Sequence, residues 1–242
     1  MRNMAWVVVV AMMFVLSGCT TFGVPLSPVV VVGSGRLVDK EMSFDGFTRV
    51  QMGSAARFEV VRADSFRIVI TTDDNAIDYL RVSKAGDSLQ IGLKPGSYSR
   101  VTLKVKIGMP NLAGLDLSGA SRGTISGFRS SGNLDINLSG ASSVSGDIEA
   151  GDVKMVLSGA SEASLSGTGG SLNLNGSGAS HARLASFPLK DARLDLSGAS
   201  SAELDLRGRL DATVSGASIA EVLGNPTMGN IRQSGAGRVV AR

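Results

Sequence analysis

Apolar and polar residues alternate with a period of two along most of this 242-residue chain. In residues 115–121, Leu115 and Leu117 alternate with Asp116 and Ser118, and a Gly-Ala-Ser bend follows. Successive side chains of a strand point to opposite faces, so the two leucines are predicted to lie inside and the polar pair outside. This stretch is therefore predicted to be a half-buried strand that ends in a tight corner.

The same motif is written seven times. The later copies occupy residues 136–142, 155–161, 174–180, 194–200, 212–218 and 231–237, at steps of 18 to 21 residues. So regular a period is typical of a solenoid, in which each repeat buries its apolar face against its neighbours. The predicted fold class is all-β: a parallel β-helix or solenoid over residues 111–242, with about seven turns of 18–21 residues, preceded by an irregular β N-terminal region.

A second strand is predicted after each corner, with two inward positions on it. The first inward column is Gly123, Val144, Ala163, Ala182, Ala202, Ala220 and Val239, and the second is Ile125, Gly146, Leu165, Leu184, Leu204, Val222 and Ala241. The corner glycine is expected to adopt a positive φ angle, which glycine reaches without steric cost. The serine hydroxyls on either side of it are expected to bond one another or the backbone of the bend. This structural role is favoured over a ligand-binding ladder.

Residues 29–110 contain no copy of the motif. Alternation in residues 57–61, 66–71 and 101–107 predicts strands, and residues 74–80 are predicted to form one helical turn. Because repeat arrays need atypical terminal units, this region is predicted to open and cap the solenoid.

The first residues have the features of a targeting segment. Arg2 precedes an apolar run over residues 5–16, which is too short for a membrane-spanning helix of about 20 residues. The run ends in Leu-Ser-Gly-Cys at Cys19, which resembles the bacterial lipoprotein box. The resemblance implies a signal peptide over residues 1–18 and a diacylglycerol on the Cys19 sulfur, with palmitate as an expected acyl group. An ordinary secretory peptide with a chance cysteine is the alternative.

Lipidation would explain why Cys19 is the only cysteine of the chain. Residues 19–28 hold two prolines and no charge, and they are predicted to form a short tether. Thr20 is not the aspartate that retains some lipoproteins at the inner membrane, which favours a lipid anchor in the outer membrane. Whether the chain faces the periplasm or the outside is left open.

Composition narrows the range of partners. Without residues 1–18 the 24 basic residues lose Arg2 and become 23, which against 21 acidic residues leaves a net charge of +2. No basic cluster with interleaved aromatics occurs, so nucleic acid is not an expected partner. Aromatic residues make up 5% of the chain, which favours a narrow aliphatic core over a broad aromatic cleft.

Four motifs resemble the bacterial head GIN domain family, which is labelled an auto-transporter adhesin. They are Gly-Ser-Gly at residues 33–35, Phe-Asp-Gly-Phe at residues 44–47, Met109-Pro110, and residues 115–121. The resemblance covers roughly residues 30–240. It implies a parallel β-helix-like fold in an envelope protein, with no established activity.

One outward column could hold a catalytic pair. Stacking of the second strands places Arg183, Glu203 and Glu221 on consecutive turns, with neighbours about 5 Å apart. Retaining glycosidases hold their two carboxyl groups about 5–5.5 Å apart, one as nucleophile and one as acid. The favoured alternative is an exposed charge column in which Arg183 offsets Glu203, because no aromatic platform lies near it.

A second outward column follows the first strands: Asp116, Asn137, Val156, Asn175, Asp195, Thr213 and Arg232. Its oxygens suit calcium, but Val156 interrupts them, so no metal is expected. His181 is the only histidine and is predicted to be a solvated surface residue. Residues 33–35 are not followed by a predicted helix, so a phosphate cradle is not expected.

The favoured function is a non-enzymatic, lipid-anchored β-solenoid of the cell envelope that binds or scaffolds an envelope or surface partner. The lipidated N-terminus would contact the membrane, a glycan or protein would bind the solenoid face, and no cofactor is expected. The alternative is a polysaccharide-cleaving enzyme that uses the pair Glu203 and Glu221.

Overall fold

The computed structural model describes residues 29–242, whose regular secondary structure is almost entirely β-strand. The predicted signal peptide, the predicted tether and the predicted lipidation site Cys19 lie outside the described residues. Within the described range, no helix combines the length and the apolar character that a membrane crossing needs.

The N-terminal region contains nine strands and one short 3-10 helix. They are β1 (Val30–Val32), β2 (Leu37–Met42), β3 (Arg49–Met52), β4 (Arg57–Arg62), β5 (Arg67–Asp73), the 3-10 helix (Asp74–Tyr79), β6 (Leu80–Ala85), β7 (Ser88–Leu93), β8 (Ser97–Ser99) and β9 (Leu103–Met109). The helical turn predicted at residues 74–80 is confirmed. The strand predicted from Val101 begins instead at Leu103, and Val101 is only half-buried.

The repeats form fourteen strands in seven consecutive pairs. They are β10 (Gly114–Leu117), β11 (Arg122–Arg129), β12 (Leu134–Leu138), β13 (Ser143–Glu149), β14 (Val153–Leu157), β15 (Glu162–Thr168), β16 (Leu172–Gly176), β17 (His181–Leu189), β18 (Ala192–Leu196), β19 (Ser201–Leu206), β20 (Arg209–Val214), β21 (Ile219–Leu223), β22 (Thr227–Gln233) and β23 (Arg238–Ala241). Each pair is one turn of the chain, and the predicted β-solenoid is confirmed.

Two large sheets enclose the core. Sheet 1 has the strand order β22-β20-β18-β16-β14-β12-β10-β3-β7-β6, and sheet 2 the order β2-β5-β9-β4-β11-β13-β15-β17-β19-β21-β23. All strands of the repeats pair in parallel with those of the next turn. The two strands β1 and β8 form a separate parallel sheet.

The N-terminal strands extend the same two sheets. Strands β3 and β4 pair in parallel with β10 and β11, and β7 and β9 lie in parallel beyond them. The spatial order of these turns is the reverse of their order in the chain. Strand β6 is antiparallel to β7, while β5 is antiparallel to β9 and β2 to β5. The parallel stacking therefore ends in antiparallel strands at this end of the rod, which we call the capped end; β22 and β23 form the open end.

The predicted inward columns share the register found in the sheets. Ala163, Ala182, Ala202 and Ala220 are buried, as are Leu165, Leu184, Leu204 and Val222. A Cβ on Gly123 would lie 2.5 Å from the ring of Phe58, and one on Gly146 would lie 2.5 Å from the side chain of Ile125. These two glycines thus make room for a larger neighbour. At the open end Val239 is half-buried and Ala241 exposed, because no further turn covers them.

The corners have the predicted geometry. The φ angles of the seven corner glycines lie between 64° and 75°. The N–H of the alanine after each of the later glycines donates to the carbonyl of the preceding turn's glycine, for example Ala160 to Gly140 at 2.7 Å. The serine after the alanine is buried in six corners, and in four of them its hydroxyl donates to the carbonyl three residues earlier, as from Ser161 to Ser158 at 2.9 Å. The motif is a structural corner.

Candidate functional site

The outer surface of sheet 2 carries a hydroxyl-rich area that we call the hydroxyl face. It consists of Thr124, Ser126, Ser145, Ser164, Ser166 and Ser186. These residues line a shallow concave region of about 680 Å³, together with Asp147, Arg183 and Glu203. The face is polar because the alternate positions of the same strands, such as Val144 and Leu165, are buried in the core.

Strand register arranges the hydroxyl face in two columns. Thr124 pairs with Ser145, and Ser145 with Ser164, so that one hydroxyl recurs at each turn. The second column joins Ser126 to Asp147 and Ser166, and it reaches Ser186 after a register shift between Ser164 and Ser166. Neighbouring strands lie about 4.8 Å apart, which sets the spacing of these groups. A hydroxyl donates one hydrogen bond and accepts two, so the columns can bond a polar chain laid across several turns.

Charged residues border the hydroxyl face. Arg129 contacts Asp147 at 2.7 Å and Glu149 at 3.4 Å. The hydrogen bond to Asp147 raises the pKa of Arg129 above its usual range. The guanidinium is therefore held by two carboxylates at one edge of the face.

The predicted catalytic pair is in register but does not share a cleft. Glu203 lies opposite Arg183 on one side and Glu221 on the other. Arg183 lies beside Glu203 in the predicted register, but the ion pair that it forms is with Glu162. Glu221 binds Arg242 at 3.1 Å, and only Glu203 lines the concave region. The arrangement is one of paired surface charges, and the geometry does not favour the glycosidase.

His181 is not the solvated residue that was predicted. It is half-buried, and its Nδ1 atom lies 2.7 Å from the Ser201 hydroxyl. Glu162, His181 and Ser201 occupy consecutive turns of one column, an order that resembles a catalytic triad. The backbone N–H groups of His181 and Ser201 both donate to carbonyls of the preceding turn, so neither is available to an oxyanion. We interpret the trio as a surface column in which His181 and Ser201 are hydrogen-bonded, whereas Glu162 forms its ion pair with Arg183.

The predicted polar column on sheet 1 is also in register. It continues from Asp116 to Gln51 and Gln90 in the N-terminal turns. Asn137 donates to Asp116 at 2.6 Å, and Val156 interrupts the oxygens as predicted. No group of three or more His, Cys, Asp or Glu side chains in residues 29–242 is placed to hold a metal ion.

The outer surface of sheet 1 carries a second concave region of about 570 Å³, lined by mixed charges. Arg209 donates two hydrogen bonds of 2.9 Å to Asp211, and the Asn230 N–H donates a third of 2.6 Å. These bonds lower the pKa of Asp211 to about 2. Arg49 binds Asp135 at 3.0 Å. Much of the charge on this surface is thus neutralised within the protein.

The Gly-Ser-Gly segment at residues 33–35 is a structural loop. The buried carboxylate of Asp73 accepts hydrogen bonds of 2.7 Å from the N–H groups of Gly35 and Thr102. A Cβ on Gly33 would lie 2.4 Å from the carbonyl oxygen of Arg100, so only glycine fits there. Sequence reasoning found the glycines but missed Asp73, whose only signal was the Thr-Asp-Asp-Asn turn at residues 72–75.

Solved structures with similar folds come from Bacteroides and Parabacteroides species. A "putative adhesin" from Bacteroides fragilis has a TM-score of 0.80 at 18% identity, covering 88% of this chain and all of that one. A "putative lipid binding protein" from Parabacteroides distasonis has a TM-score of 0.68 at 19% identity, covering 88% and 100%. A "putative adhesin" from the same organism has a TM-score of 0.64 at 17% identity, covering 88% and 98%. At these identities the likeness concerns the fold.

A search of the curated proteins found no match. A family model described as "Putative auto-transporter adhesin, head GIN domain" matches residues 46–226, which is most of the chain and includes six of the seven corners. The chain belongs to this head GIN domain family.

Proposed function

We propose that this chain is a non-enzymatic β-solenoid of the cell envelope, anchored by lipid at Cys19, that binds a surface partner on its hydroxyl face. The observation that carries the proposal is the pair of in-register columns, in which Thr124, Ser145 and Ser164 repeat one hydroxyl on successive turns. Solenoids commonly bind through extended surfaces of this kind.

Family membership supports an adhesin-type role at the cell envelope or surface, without catalysis. Two of the similar structures carry the description "putative adhesin", in agreement with such a role. The arrangement of Glu203 and Glu221 adds no support for polysaccharide cleavage, since Glu221 is bound to Arg242 outside the concave region.

A glycan chain is the partner class that the hydroxyl face fits best. The face is shallow and lined by short side chains that donate and accept hydrogen bonds, with guanidinium and carboxylate groups at its margin. A sugar chain offers hydroxyls along its length and can bond several turns at once. An extended polypeptide is the alternative partner.

Binding can be tested with two matched substitutions. Ser145→Arg places a long cation in the hydroxyl face, whereas Thr213→Arg does the same at an exposed position of sheet 1. Purified lipoprotein is applied to immobilised outer-membrane polysaccharide, peptidoglycan and a panel of neutral and uronic acid-containing glycans. We expect S145R to weaken binding at least about tenfold, which corresponds to about 1.4 kcal/mol, and T213R to leave it unchanged.

Equal effects of the two substitutions would contradict the proposed face. Release of new reducing ends from a glycan by the unmodified protein, lost in an E203A/E221A variant, would contradict the non-enzymatic role. Binding to envelope proteins alone would identify a polypeptide as the partner.

The anchor is tested separately. Replacing Cys19 by alanine is expected to move the protein from the membrane fraction to the soluble fraction, because the diacylglycerol would have no attachment site. Lys104 and Lys106 are both exposed, and an impermeant amine reagent would report whether they are accessible on intact cells. Labelling would support a surface adhesin; protection until the outer membrane is opened would direct the search to periplasmic partners.

A further inference from the structure

The capped end of the rod carries an exposed apolar area. Residues 29–242 contain five exposed large hydrophobic residues, and four of them lie within nine positions of one another. We call these four the apolar patch: Val29, Val30, Val32 and Leu37. The fifth, Met228, lies on β22 at the open end.

The apolar patch is built on a rigid support. Strand β1 pairs with β8 so that Val31 is buried while Val30 and Val32 are 67% and 53% exposed. The Asn75 side chain donates to the Val32 carbonyl at 2.8 Å, and Leu37 lies opposite Asp73 in the register of β2 and β5. Val32 and Leu37 are thus both held against residues 73–75, and their side chains are exposed in the folded protein.

Two tyrosines lie at the Val29 side of the apolar patch, since Tyr98 is in register with the buried Val31, on the face of β1 opposite to Val30 and Val32. Tyr79 and Tyr98 pack edge to face with ring centroids 6.2 Å apart, and the Tyr98 hydroxyl donates to the Lys94 carbonyl at 2.7 Å. A Cβ on Gly96 would lie 3.2 Å from Val29 Cβ and 3.3 Å from the Tyr98 ring, so the Val29 and Tyr98 side chains both lie beside Gly96. Tyrosine beside exposed aliphatic residues is typical of surfaces at the boundary between lipid and water.

The chain enters the apolar patch directly from the predicted anchor. Nine residues, 20–28, lie between Cys19 and Val29, and the ten residue steps from one to the other reach at most about 33–36 Å. The ten strands of sheet 1 make nine steps of about 4.8 Å, or roughly 43 Å. An anchor at Cys19 therefore limits Val29 to within about 36 Å of the bilayer, whereas the open end, roughly 43 Å along the rod, can lie farther away.

We propose that the apolar patch is a membrane-docking surface, which seats the capped end on the lipid leaflet that holds Cys19 and points the open end away from it. The inference rests on the proposed anchoring. It adds an orientation, in which the hydroxyl face stands along the side of the rod and remains accessible to a partner.

The test couples the chain from Cys19 to Arg242, which contains every strand of both sheets, to maleimide-headgroup lipid through its single thiol. This chemical link makes the result independent of native lipidation, so a failed C19A fractionation and a failed docking experiment are distinguishable. The only tryptophan of the sequence is Trp6, so the coupled chain has no background emission. V32W and the matched control M228W place one tryptophan at each end, at positions of similar exposure.

Fluorescence is measured on phosphatidylcholine–phosphatidylglycerol vesicles with brominated acyl chains, which quench tryptophan on contact. We expect quenching of V32W to exceed that of M228W by about threefold or more, because only the capped end enters the interface. In an L37W background, the exposed substitutions V30N and V32N together are expected to remove about half of the quenching or more.

Equal quenching at the two ends would overturn the proposal. So would V32W emission that is already blue-shifted without vesicles and resists quenching with them, since residues 20–28 or another protein segment would then cover the apolar patch. Quenching of L37W that is unaffected by V30N and V32N would also overturn it. Circular dichroism of each variant establishes that the β-structure is retained.

Discussion

At the scale of single residues, the close stacking of successive turns depends on the corner glycines, which have no side chain. Each corner glycine after the first lies against the corner of the preceding turn, and the alanine N–H that follows it bonds that turn's glycine carbonyl. In four corners the buried serine then donates its hydroxyl to a carbonyl of its own corner. Glycine is needed for its positive φ angle and also because a Cβ would meet backbone atoms.

Substitution at Gly159 separates these two requirements when it is compared with Gly86. Both have positive φ, 72° and 60°, but a Cβ on Gly159 would lie 2.5 Å from the Gly140 carbonyl oxygen, whereas nothing lies within 4 Å at Gly86. We expect G86A to lower the free energy of unfolding by about 1–2 kcal/mol and G159A by at least about 3 kcal/mol, because the stacked backbones must also separate. Urea denaturation measures both, and equal losses would show that φ alone matters.

Asp211 gives a prediction about pH. Its pKa of about 2 lies below the ordinary aspartate value near 3.9, mainly because Arg209 donates hydrogen bonds to it. The folded pKa is depressed, so the contribution to stability is present above about pH 3.9 and is lost as the pH falls through about 2. Removing the donor with R209Q should raise the pKa towards its ordinary value.

Arg193 provides the matched control for that titration. It acts on Asp211 through charge alone and is the weakest of the causes. An NMR titration of the Asp211 carboxyl carbon should show a larger upward shift of the pKa in R209Q than in R193Q. The reverse order would mean that the charge of Arg193, rather than the hydrogen bond from Arg209, lowers the pKa of Asp211.

At the scale of strands, each turn is stabilised mainly by the turns on either side of it. One inward column of sheet 1 runs through Leu115, Ile136, Met155, Leu174, Leu194, Ala212 and Ile231, with a register shift just before the last pair. Ile136 is fully buried, whereas Ile231 on the last turn is half-buried. The same type of side chain thus occurs at Ile136 between two neighbouring turns and at Ile231 with a neighbouring turn on one side only.

Truncation of these two isoleucines measures how much a second neighbouring turn adds to the free energy of unfolding. We expect I136A to lower the free energy of unfolding by about 3–4 kcal/mol, since it leaves a cavity between two turns. I231A should cost about 1 kcal/mol, because water already reaches that site. Chemical denaturation of both variants checks the difference, and a cost for I231A as large as that for I136A would imply that something covers the open end in solution.

The sequence predicted the repeats well because their register is local information. The motif recurs at a nearly constant step, so the columns through Val144 or Leu165 follow once the turns are stacked. The N-terminal turns could not be predicted in this way. Alternation in Arg57–Arg62 indicates a strand, but nothing in it indicates that β4 lies between β9 and β11, since that pairing joins residues far apart in the chain. The ion pair of Arg183 with Glu162 depended on side-chain conformation, which the register alone leaves open.

At the scale of the whole molecule, the two ends of the rod differ. At the capped end, β6, β5 and β2 add antiparallel strands beyond the last parallel turn. At the open end, β22 and β23 are edge strands of parallel sheets, and Arg232, Arg238 and Arg242 place positive charge there. Charged edge strands discourage pairing with another chain, so the open end is protected against association. Its backbone hydrogen bonds are nevertheless more accessible to water, because no further turn covers β22 and β23.

Hydrogen exchange should record this asymmetry. In a solenoid each turn contacts only its neighbours, so opening begins where a neighbour is missing and spreads inward. Amide protection should therefore be lowest in β22 and β23, rise through β20 and β21, and reach its maximum in the central turns. The capped end should be protected better than the open end, because antiparallel strands cover both sheets there. Exchange measured by mass spectrometry on overlapping peptides resolves these segments.

I231A should lower protection in β20 to β23 and leave the turns around Ile136 unchanged. Uniform protection along the rod would mean that the molecule opens only as one cooperative unit, and the description of its stability as a sum over neighbouring turns would then be wrong.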